Sequence, residues 1–282
     1  MPFLKAHGTG NDFVILDDSD GRLDLTPGLV AAICDRHRGV GADGVLRVVA
    51  SGADPVSAGQ VAAAPYFMDY RNSDGSLAQM CGNGARVFLR YLVAAKLCPA
   101  GWIPFATRAG VLRGYVPPVG DVVVQMGRPQ PGEPTAAPQV AVPGNRWPAA
   151  AVFAPNPHAV VFVDDLADAG DLRQAPRVEP STAFPDGVNV EFVVTRGQAH
   201  LAMRVHERGS GETLSCGTGA VAATWAARRR DGASPEARWR VDVGGGTLWV
   251  TEREDGSFEL AGPVSFVARG VLSPTWLAEV TG

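Results

Sequence analysis

Lysine is nearly absent from this sequence of 282 residues, in which Lys5 and Lys96 are the only two. Arginine therefore carries most of the positive charge. An enzyme that uses pyridoxal phosphate binds it through a lysine amine, and few lysines are available here for that bond. The scarcity of lysine disfavours this cofactor, and we expect the protein to act without any cofactor.

Cysteine is also scarce, and its spacing excludes several kinds of site. The four cysteines form no C-x-x-C pair and no cluster with other metal-binding residue types, so we expect no metal site. The first residues, Met1 to Lys5, show no apolar core of a signal peptide. Reduced thiols in a cytoplasmic protein are therefore the expectation. The four are Cys34, Cys81, Cys98 and Cys216.

Long apolar segments and an excess of positive charge are missing as well. No apolar run approaches the roughly 18 residues that a membrane-spanning helix needs, so we expect no membrane contact. The net charge of −4 provides no basic surface for nucleic acid. Apolar residues make up 46% of the chain, which is enough for the cores of two domains. These absences leave a small molecule as the expected partner.

One short motif occurs twice in the chain. It reads Cys-Gly-Asn-Gly-Ala at residues 81–85 and Cys-Gly-Thr-Gly-Ala at residues 216–220, so the cysteines lie 135 positions apart (216 − 81). Each copy leads into an apolar run without proline, which predicts a buried helix. A thiol just before a helix faces backbone N–H groups and the positive end of the helix dipole, and both favour thiolate. Glycines there also let an anionic ligand approach the backbone.

The repeat extends beyond the two cysteines. A shift of 135 places Met68 on Met203 and Asn72 on Glu207, and a shift of 136 places Gly110 on Gly246. This pattern indicates an ancient duplication. We therefore predict an α+β fold of two pseudo-symmetric domains, each a mostly antiparallel sheet around a central helix, with the active site in the cleft between them. The predicted halves are residues 1–127 and 128–269, with residues 270–282 packing back on the first half.

Local signals place three further features. Thr26 followed by Pro27 predicts the start of a helix that runs to about His37. Residues 127–138 are rich in proline and glycine and predict a linker between the halves. The helix after Cys216 is predicted to end in a run of three arginines, which suits the negative end of a helix dipole.

Two matched thiols suit one reaction in particular, the inversion of a carbon that bears an acidic proton. One thiolate removes the proton from one face while the opposite thiol delivers a proton to the other face. The pKa of free cysteine is about 8.5, so modest tuning brings it near the operating pH, where acid–base catalysis is most efficient. Backbone N–H groups at the two helix starts would stabilise the charge that develops on the substrate.

Several motifs together resemble those of the diaminopimelate epimerase family. The resemblance implies a cofactor-independent isomerase that interconverts LL- and meso-diaminopimelate in lysine and peptidoglycan biosynthesis, and it suggests a homodimer. Any one of these motifs alone is weakly specific, but they occur in the family's order along most of the chain. They are His7–Phe13, Asn72–Gly75, Cys81–Arg86, Asn156–His158, Asn189, Glu207–Thr213 and Cys216–Gly219.

The resemblance also implies roles for individual residues. Cys81 and Cys216 would be the acid–base pair, and His158 would support them. Two departures from the family pattern are Gly44, where some members have a substrate-binding glutamine, and Pro155, where members commonly have glycine. The residues implied in substrate binding are Asn11, Asn72, Gly82, Asn83, Asn156, Asn189, Glu207, Arg208, Gly217 and Thr218.

Other readings remain open at this point. The chain could resemble proline racemase or hydroxyproline epimerase, which share the expected fold. It could be a two-lobed amino-acid-binding protein without activity, or a redox protein in which the two motif cysteines form a disulfide. For single residues, Cys34 and Cys98 read as inert thiols, Glu207 and Arg208 could form a surface ion pair, and His158 could be a loop residue bonded to backbone.

Overall fold

The computed structural model describes residues 1–132, 138–232 and 238–281. The chain divides into two compact units, Met1–Val124 together with Pro263–Gly282, and Gln125–Gly262. Each unit combines a mixed β-sheet with few helices, so the fold is α+β, as the sequence predicts. The predicted linker over residues 127–138 extends into positions 133–137, which lie outside the described residues.

The first unit contains most of its strands before residue 125 and one near the C-terminus. Its strands in chain order are β1 (Pro2–Gly8), β2 (Asn11–Asp17), β3 (Gly44–Ala50), β4 (Tyr66–Asn72), β5 (Gly101–Thr107), β6 (Gly110–Val116) and β7 (Val122–Gly127), which begins in this unit, and β19 (Ser265–Val271). Its helices are α1 (Pro27–Cys34), α2 (Gly82–Ala94) and α4 (Pro274–Thr281).

Helix α2 is the centre of the first unit. Hydrogen bonds join the strands in the order β19-β1-β2-β3-β4-β5-β6-β7. The helix contacts β1, β2, β3, β4 and β6, so the sheet curves around it. This explains why the first eight residues of α2 are all buried, including Arg86.

The second unit is built in the same way around helix α3 (Gly217–Asp231). The helix contacts β10, β11, β13, β14, β16, β17 and β18, and its three terminal arginines lie in the last turn. The strands are β8 (Gln130–Pro131), β9 (Gln139–Val142), β10 (Asn145–Phe153), β11 (Pro157–Phe162), β12 (Arg177–Glu179), β13 (Asn189–Gly197), β14 (His200–Glu207), β15 (Gly211–Thr213), β16 (Arg238–Val243), β17 (Gly246–Glu252) and β18 (Phe258–Gly262).

The two sheets have the same strand pairing. Within the described residues, the main sheet of the second unit runs β8-β10-β11-β13-β14-β16-β17-β18. In both sheets the successive pairs are antiparallel, antiparallel, parallel, antiparallel, parallel, antiparallel and antiparallel. A shared order of pair types, on top of the repeated motif, is what a duplicated domain produces.

The structure places two boundaries differently from the sequence prediction. Pro263 begins the return to the first unit, ahead of the predicted position 270, because Ser265–Val271 pairs with β1 along most of its length. Helix α1 begins after the N-cap Thr26, as predicted, but ends at Cys34 and not near His37. The Asp35 carboxylate accepts the backbone N–H groups of His37 and Arg38 and so holds a turn there.

The C-terminal segment joins an apolar core in the first unit. Leu272 is buried with Leu29, Val30 and Ile33, and Trp276 and Leu277 pack against the same cluster. Helix α4 therefore covers α1. No helix among the described residues is long and apolar enough to cross a membrane.

A buried charge cluster in the first unit gives a stability prediction. Asp69 is 1% exposed and pairs with Arg47, Arg71 and Arg108. Burial alone would raise the pKa of Asp69, but the hydrogen bonds from Arg71 and Arg108 outweigh it and lower the pKa. Breaking a buried pair leaves uncompensated charge, so we expect Asp69→Asn to reduce the free energy of unfolding by about 3 kcal/mol.

This effect should depend on pH in a defined direction. Because the folded-state pKa is lowered, the stabilisation is complete above the ordinary pKa of aspartate and is lost as the pH falls towards the lowered value. Urea midpoints should therefore differ most between wild type and Asp69→Asn at about pH 7, and the difference should shrink as the pH falls below about 4, the ordinary pKa of aspartate. The exposed Asp20, which pairs with Arg22 at 3.4 Å, provides the control Asp20→Asn, expected to change nothing measurable.

Candidate active site

Cys81 is the N-cap residue of helix α2. Its Sγ accepts the backbone N–H of Gly84 at 3.3 Å, which is the bond that a serine or aspartate makes at a helix start. The same sulfur lies 3.6 Å from Oδ1 of Asn11. The thiol is half-buried, and it sits where the helix dipole favours negative charge.

Two asparagines beside Cys81 have their amide orientation fixed by charged neighbours. Asn11 donates from Nδ2 to the Asp43 carboxylate at 2.8 Å, which turns its oxygen towards the thiol. Asn83 accepts at Oδ1 from Arg86 at 2.8 Å and donates from Nδ2 to Asn11 at 3.2 Å. Because a carboxylate only accepts and a guanidinium only donates, neither amide can rotate without losing a bond.

Arg86 is a fully buried cation close to this thiol. Its Nη2 also donates to Oγ1 of Thr9 at 3.1 Å, and no ion pair with a carboxylate is found for it among residues 1–132, 138–232 and 238–281. Burial lowers the pKa of Arg86 to about 10, while the nearby thiol of Cys81 opposes that shift. Cys81 therefore lies between a buried cation and the Asn11 oxygen, which accepts from its thiol.

Cys216 repeats the cap on helix α3. Its Sγ accepts the backbone N–H of Gly219 at 3.4 Å and lies 3.4 Å from Oγ1 of Thr218. The electrostatics differ from the first unit, because two acids, Glu207 and Glu191, lie near this thiol. Burial raises the pKa of the Cys216 thiol, and the negative charges of Glu207 and Glu191 raise it further. Cys216 is therefore held as the neutral thiol.

Glu207 and Arg208 point to different partners. Glu207 accepts a hydrogen bond from Oγ1 of Thr213, and burial raises the pKa of the Glu207 carboxyl. Arg208 is exposed and donates from Nη1 to the Asp186 carbonyl at 2.8 Å, and its backbone N–H donates to Oδ1 of Asn189 at 2.8 Å. No ion pair joins Glu207 to Arg208 in the described chain, so the surface-pair reading is wrong.

His158 is fully buried and bonded to side chains, so the reading of a loop histidine bonded to backbone is also wrong. Its Nδ1 lies 2.7 Å from Oε1 of Glu191, and its Nε2 lies 2.9 Å from Oδ1 of Asn156. Asn156 precedes β11, and Glu191 lies within β13. The histidine therefore links a buried carboxylate to a predicted substrate-binding asparagine.

The predicted residues fall into two groups, one in each unit. Asn11, Cys81, Gly82 and Asn83 gather at the start of α2, and Asn72 ends β4, where its Nδ2 donates to Ser76 at 2.9 Å. In the second unit, Gly217 and Thr218 open α3 beside Cys216. The residues Asn156, His158, Asn189, Glu207 and Arg208 lie at the ends of β11, β13 and β14.

Each group combines an acid–base group with donors for an anion. The backbone N–H groups of the first helical turn have no acceptor within the helix, and at Gly82 and Gly217 no side chain shields them. Across the described ranges, no group of three or more His, Cys, Asp or Glu side chains is placed to hold a metal ion. The local chemistry suits proton transfer at a carbon next to a carboxylate.

Comparison with known proteins agrees with these motifs. The sequence model of the diaminopimelate epimerase family matches residues 3–131 and 151–267. A diaminopimelate epimerase of Streptomyces coelicolor is 54% identical, over 99% of this chain and 98% of that protein. One of Mycolicibacterium smegmatis is 46% identical over the full length of both. The chain belongs to the diaminopimelate epimerase family.

Solved structures with low sequence identity share the fold of this family member. A phenazine biosynthesis protein of Bacillus anthracis has a TM-score of 0.68 at 17% identity, over 97% of this chain and 99% of that one. A probable proline racemase of Agrobacterium radiobacter has a TM-score of 0.67 at 15% identity, over 97% and 93%. At such identities the likeness concerns the fold alone.

Three charged residues beside the predicted groups were not assigned a role from the sequence. They are Asp43, Arg86 and Glu191. Arg86 and Glu191 do carry a signal, since each is a charge within an apolar run that the sequence predicts to be buried. Buried charges are paired or functional, so such positions could be selected from sequence alone. Asp43 lies in a turn and carries no comparable signal.

The contrast between the two thiols predicts an order of alkylation. With iodoacetamide at about pH 8 and no substrate, we expect Cys81 to be modified roughly tenfold faster than Cys216. The reason is that Cys216 is buried and its pKa is raised, and only the thiolate reacts. Peptide mass spectrometry at successive times measures both rates.

Cys34 serves as an internal control in the same experiment, because burial raises the pKa of its thiol to about 12. It should stay unmodified while the protein is folded. Equal rates for Cys81 and Cys216 would contradict the assigned electrostatic difference.

Proposed function

We propose that this chain is a diaminopimelate epimerase, an isomerase that interconverts the LL and meso forms by proton transfer between two thiols and the α-carbon. The observation that carries the proposal is that both halves hold a cysteine at the N-cap of a buried, glycine-led helix. Family membership supports the substrate, since relatives that match along nearly the whole chain carry this name.

The first step is removal of the α-proton by a thiolate. The pair of bonding electrons stays on the carbon and spreads into the adjacent carboxylate, which becomes enolate-like. Backbone N–H groups that open a helix, as at Gly82 and Gly217, can donate to those oxygens as the charge grows. In this chain the raised pKa of Cys216 suits the neutral thiol, so we assign the first thiolate to Cys81.

The second step is protonation of the carbon from the opposite face. The thiol gives its proton to the α-carbon and becomes a thiolate. The α-carbon has then lost one proton and gained another from the opposite face, so its configuration is inverted. The proposal requires both sulfur atoms to reach one carbon when substrate is bound. Cys81 and Cys216 exchange protonation states in each turnover. In the reverse reaction Cys216 therefore starts as the thiolate and Cys81 as the thiol.

The polar residues around each thiol suit the rest of an amino-acid substrate. Asn156 and Asn189 each have their amide oxygen held by a protein group, at His158 and at the Arg208 backbone. We assign their amide nitrogens to substrate carboxylate oxygens. Glu207 suits the ammonium group and the exposed Arg208 guanidinium suits the distal carboxylate, to which it can donate two parallel bonds.

Deuterium exchange tests both the substrate and the mechanism. Wild type is mixed with LL-diaminopimelate or with L-proline in heavy water, and the α-carbon is followed by NMR. We expect deuterium to enter diaminopimelate and not proline. Cys81→Ala and Cys216→Ala should each lose inversion by at least roughly a hundredfold, because each removes one of the two proton carriers.

Matched controls are available at the two remaining cysteines. Cys34→Ala and Cys98→Ala remove a thiol of the same kind outside the motifs and should invert at the wild-type rate. Deuterium entering only proline, or full inversion by either motif variant, would refute the proposal. Binding of diaminopimelate by wild type without any exchange would identify the non-catalytic alternative.

A further inference from the structure

Matched positions in the two halves hold different kinds of side chain. In the first half Phe13 of β2 pairs in register with Gly44 of β3, and in the second half His158 of β11 pairs with Asn189 of β13. These are the first in-register pairs of the matching parallel pairing in each sheet, β2 with β3 and β11 with β13. Phe13 is therefore equivalent to His158. Two residues after Gly44 and Asn189, on the fourth strand of each sheet, Leu46 is equivalent to Glu191.

Both pairs lie under the start of a central helix. A methyl group added at Gly84 would lie 3.3 Å from Leu46 and 3.5 Å from Phe13. One added at the equivalent Gly219 would lie 2.7 Å from Oε1 of Glu191. The same space beside the N-cap cysteine is therefore filled by two apolar side chains in one half and by an acid–histidine pair in the other.

Each ring nitrogen of His158 faces an oxygen atom. Nδ1 faces a carboxylate oxygen of Glu191 at 2.7 Å, and Nε2 faces the amide oxygen of Asn156 at 2.9 Å. An ionised carboxylate and an amide oxygen both accept hydrogen bonds, so these two contacts suit a ring with a hydrogen on each nitrogen, an imidazolium. No arginine or lysine pairs with Glu191 in the described part of the chain, which leaves His158 as the basic side chain bonded to it.

Stability alone does not account for this pair. Both side chains have an exposed fraction of 0%, and Oε2 of Glu191 accepts no hydrogen bond from the residues that the structure describes. Replacing a buried ion pair by apolar side chains of similar volume is often neutral or stabilising. The first half shows that the fold accepts an apolar pair at this position. We therefore attribute the pair in the second half to function and not to stability.

We propose that Glu191 is a positioning residue that acts through His158 to orient the amide of Asn156. The proposal rests on the proposed function, which assigns Asn156 to substrate binding. With His158 charged, its Nε2–H holds the Asn156 oxygen, and the amide presents its NH2 group to a substrate carboxylate. A neutral His158 that keeps its hydrogen on Nδ1 accepts at Nε2, which attracts the NH2 group and turns the amide oxygen outward.

The test compares three variants. Glu191→Gln keeps the shape and removes the charge. His158→Phe combined with Glu191→Leu copies the apolar pair that the first half already contains. Glu252→Gln is the matched control, because it removes the charge of another partly buried glutamate, which pairs with Arg228 at 2.6 Å at the far end of α3.

The first readout needs neither substrate nor activity. NMR of protein labelled with 15N in its histidines reports the hydrogens on both nitrogens of each ring. We expect His158 to be an imidazolium at about pH 7 in wild type and in Glu252→Gln, and to be neutral in Glu191→Gln. An imidazolium that persists in Glu191→Gln would overturn the proposal, whether or not the protein epimerises diaminopimelate.

The second readout is the division between KM and kcat. A lost hydrogen bond to a charged group should raise KM for LL-diaminopimelate roughly ten- to a hundredfold in Glu191→Gln and in the double variant, with a smaller change in kcat. Glu252→Gln should keep the wild-type KM. A purely structural role for Glu191 predicts less folded protein with an unchanged KM.

The double variant guards against a failure to fold. We expect its melting temperature to equal or exceed that of wild type, because it repeats a pair tolerated at the equivalent site. A double variant that unfolds would show that the ion pair is needed for the fold, and this also overturns the proposal. A double variant with the wild-type KM would also overturn the proposal.

Failure of wild type itself to exchange the α-proton would count against the proposed function. The NMR result would then still decide the role of Glu191.

Discussion

A cysteine that caps a helix is the interaction on which the rest of the structure depends. In both halves the sulfur accepts the backbone N–H of the third helical residue, at 3.3 Å for Cys81 and 3.4 Å for Cys216. The bond fixes the sulfur at the positive end of a helix dipole without using a charged side chain. At position 219 the space beside the cap favours glycine, because an added Cβ would lie 2.7 Å from Oε1 of Glu191. The curved sheet encloses the helix, so that Cys81 is half-buried and Cys216 is buried.

The two caps share a geometry but not an electrostatic environment. A buried cation, Arg86, lies near one thiol, while Glu207 and Glu191 lie near the other. The two halves therefore diverged after duplication in the residues that surround the thiol, while the order of strand pairs stayed the same. The proposed mechanism starts each turnover with one thiolate and one neutral thiol, and the raised pKa of Cys216 suits the neutral thiol.

The sequence contained enough to predict the repeat, the two central helices and the positions of the thiols. These depend on local signals, namely glycine spacing, an apolar run and a duplicated motif. Strand β5 was not predicted, because Pro104 interrupts it, and proline is disfavoured within strands. The role of Asp43 was also missed, since its bond to Asn11 spans 32 residues and leaves no local pattern. Side-chain orientation is equally invisible in sequence, so the link from Glu191 to Asn156 needed coordinates.

The return of Ser265–Val271 to the first sheet has a consequence for biosynthesis. Strand β1, made first on the ribosome, finds its neighbour β19 only after about 260 further residues have been made. The second unit is continuous in sequence, from Gln125 to Gly262, and can complete its sheet earlier. Domains usually fold in the order in which they are translated. Here the first half leaves one edge of β1 unpaired until β19 has been translated. During that interval nascent chains should be most prone to mispairing and most dependent on chaperones.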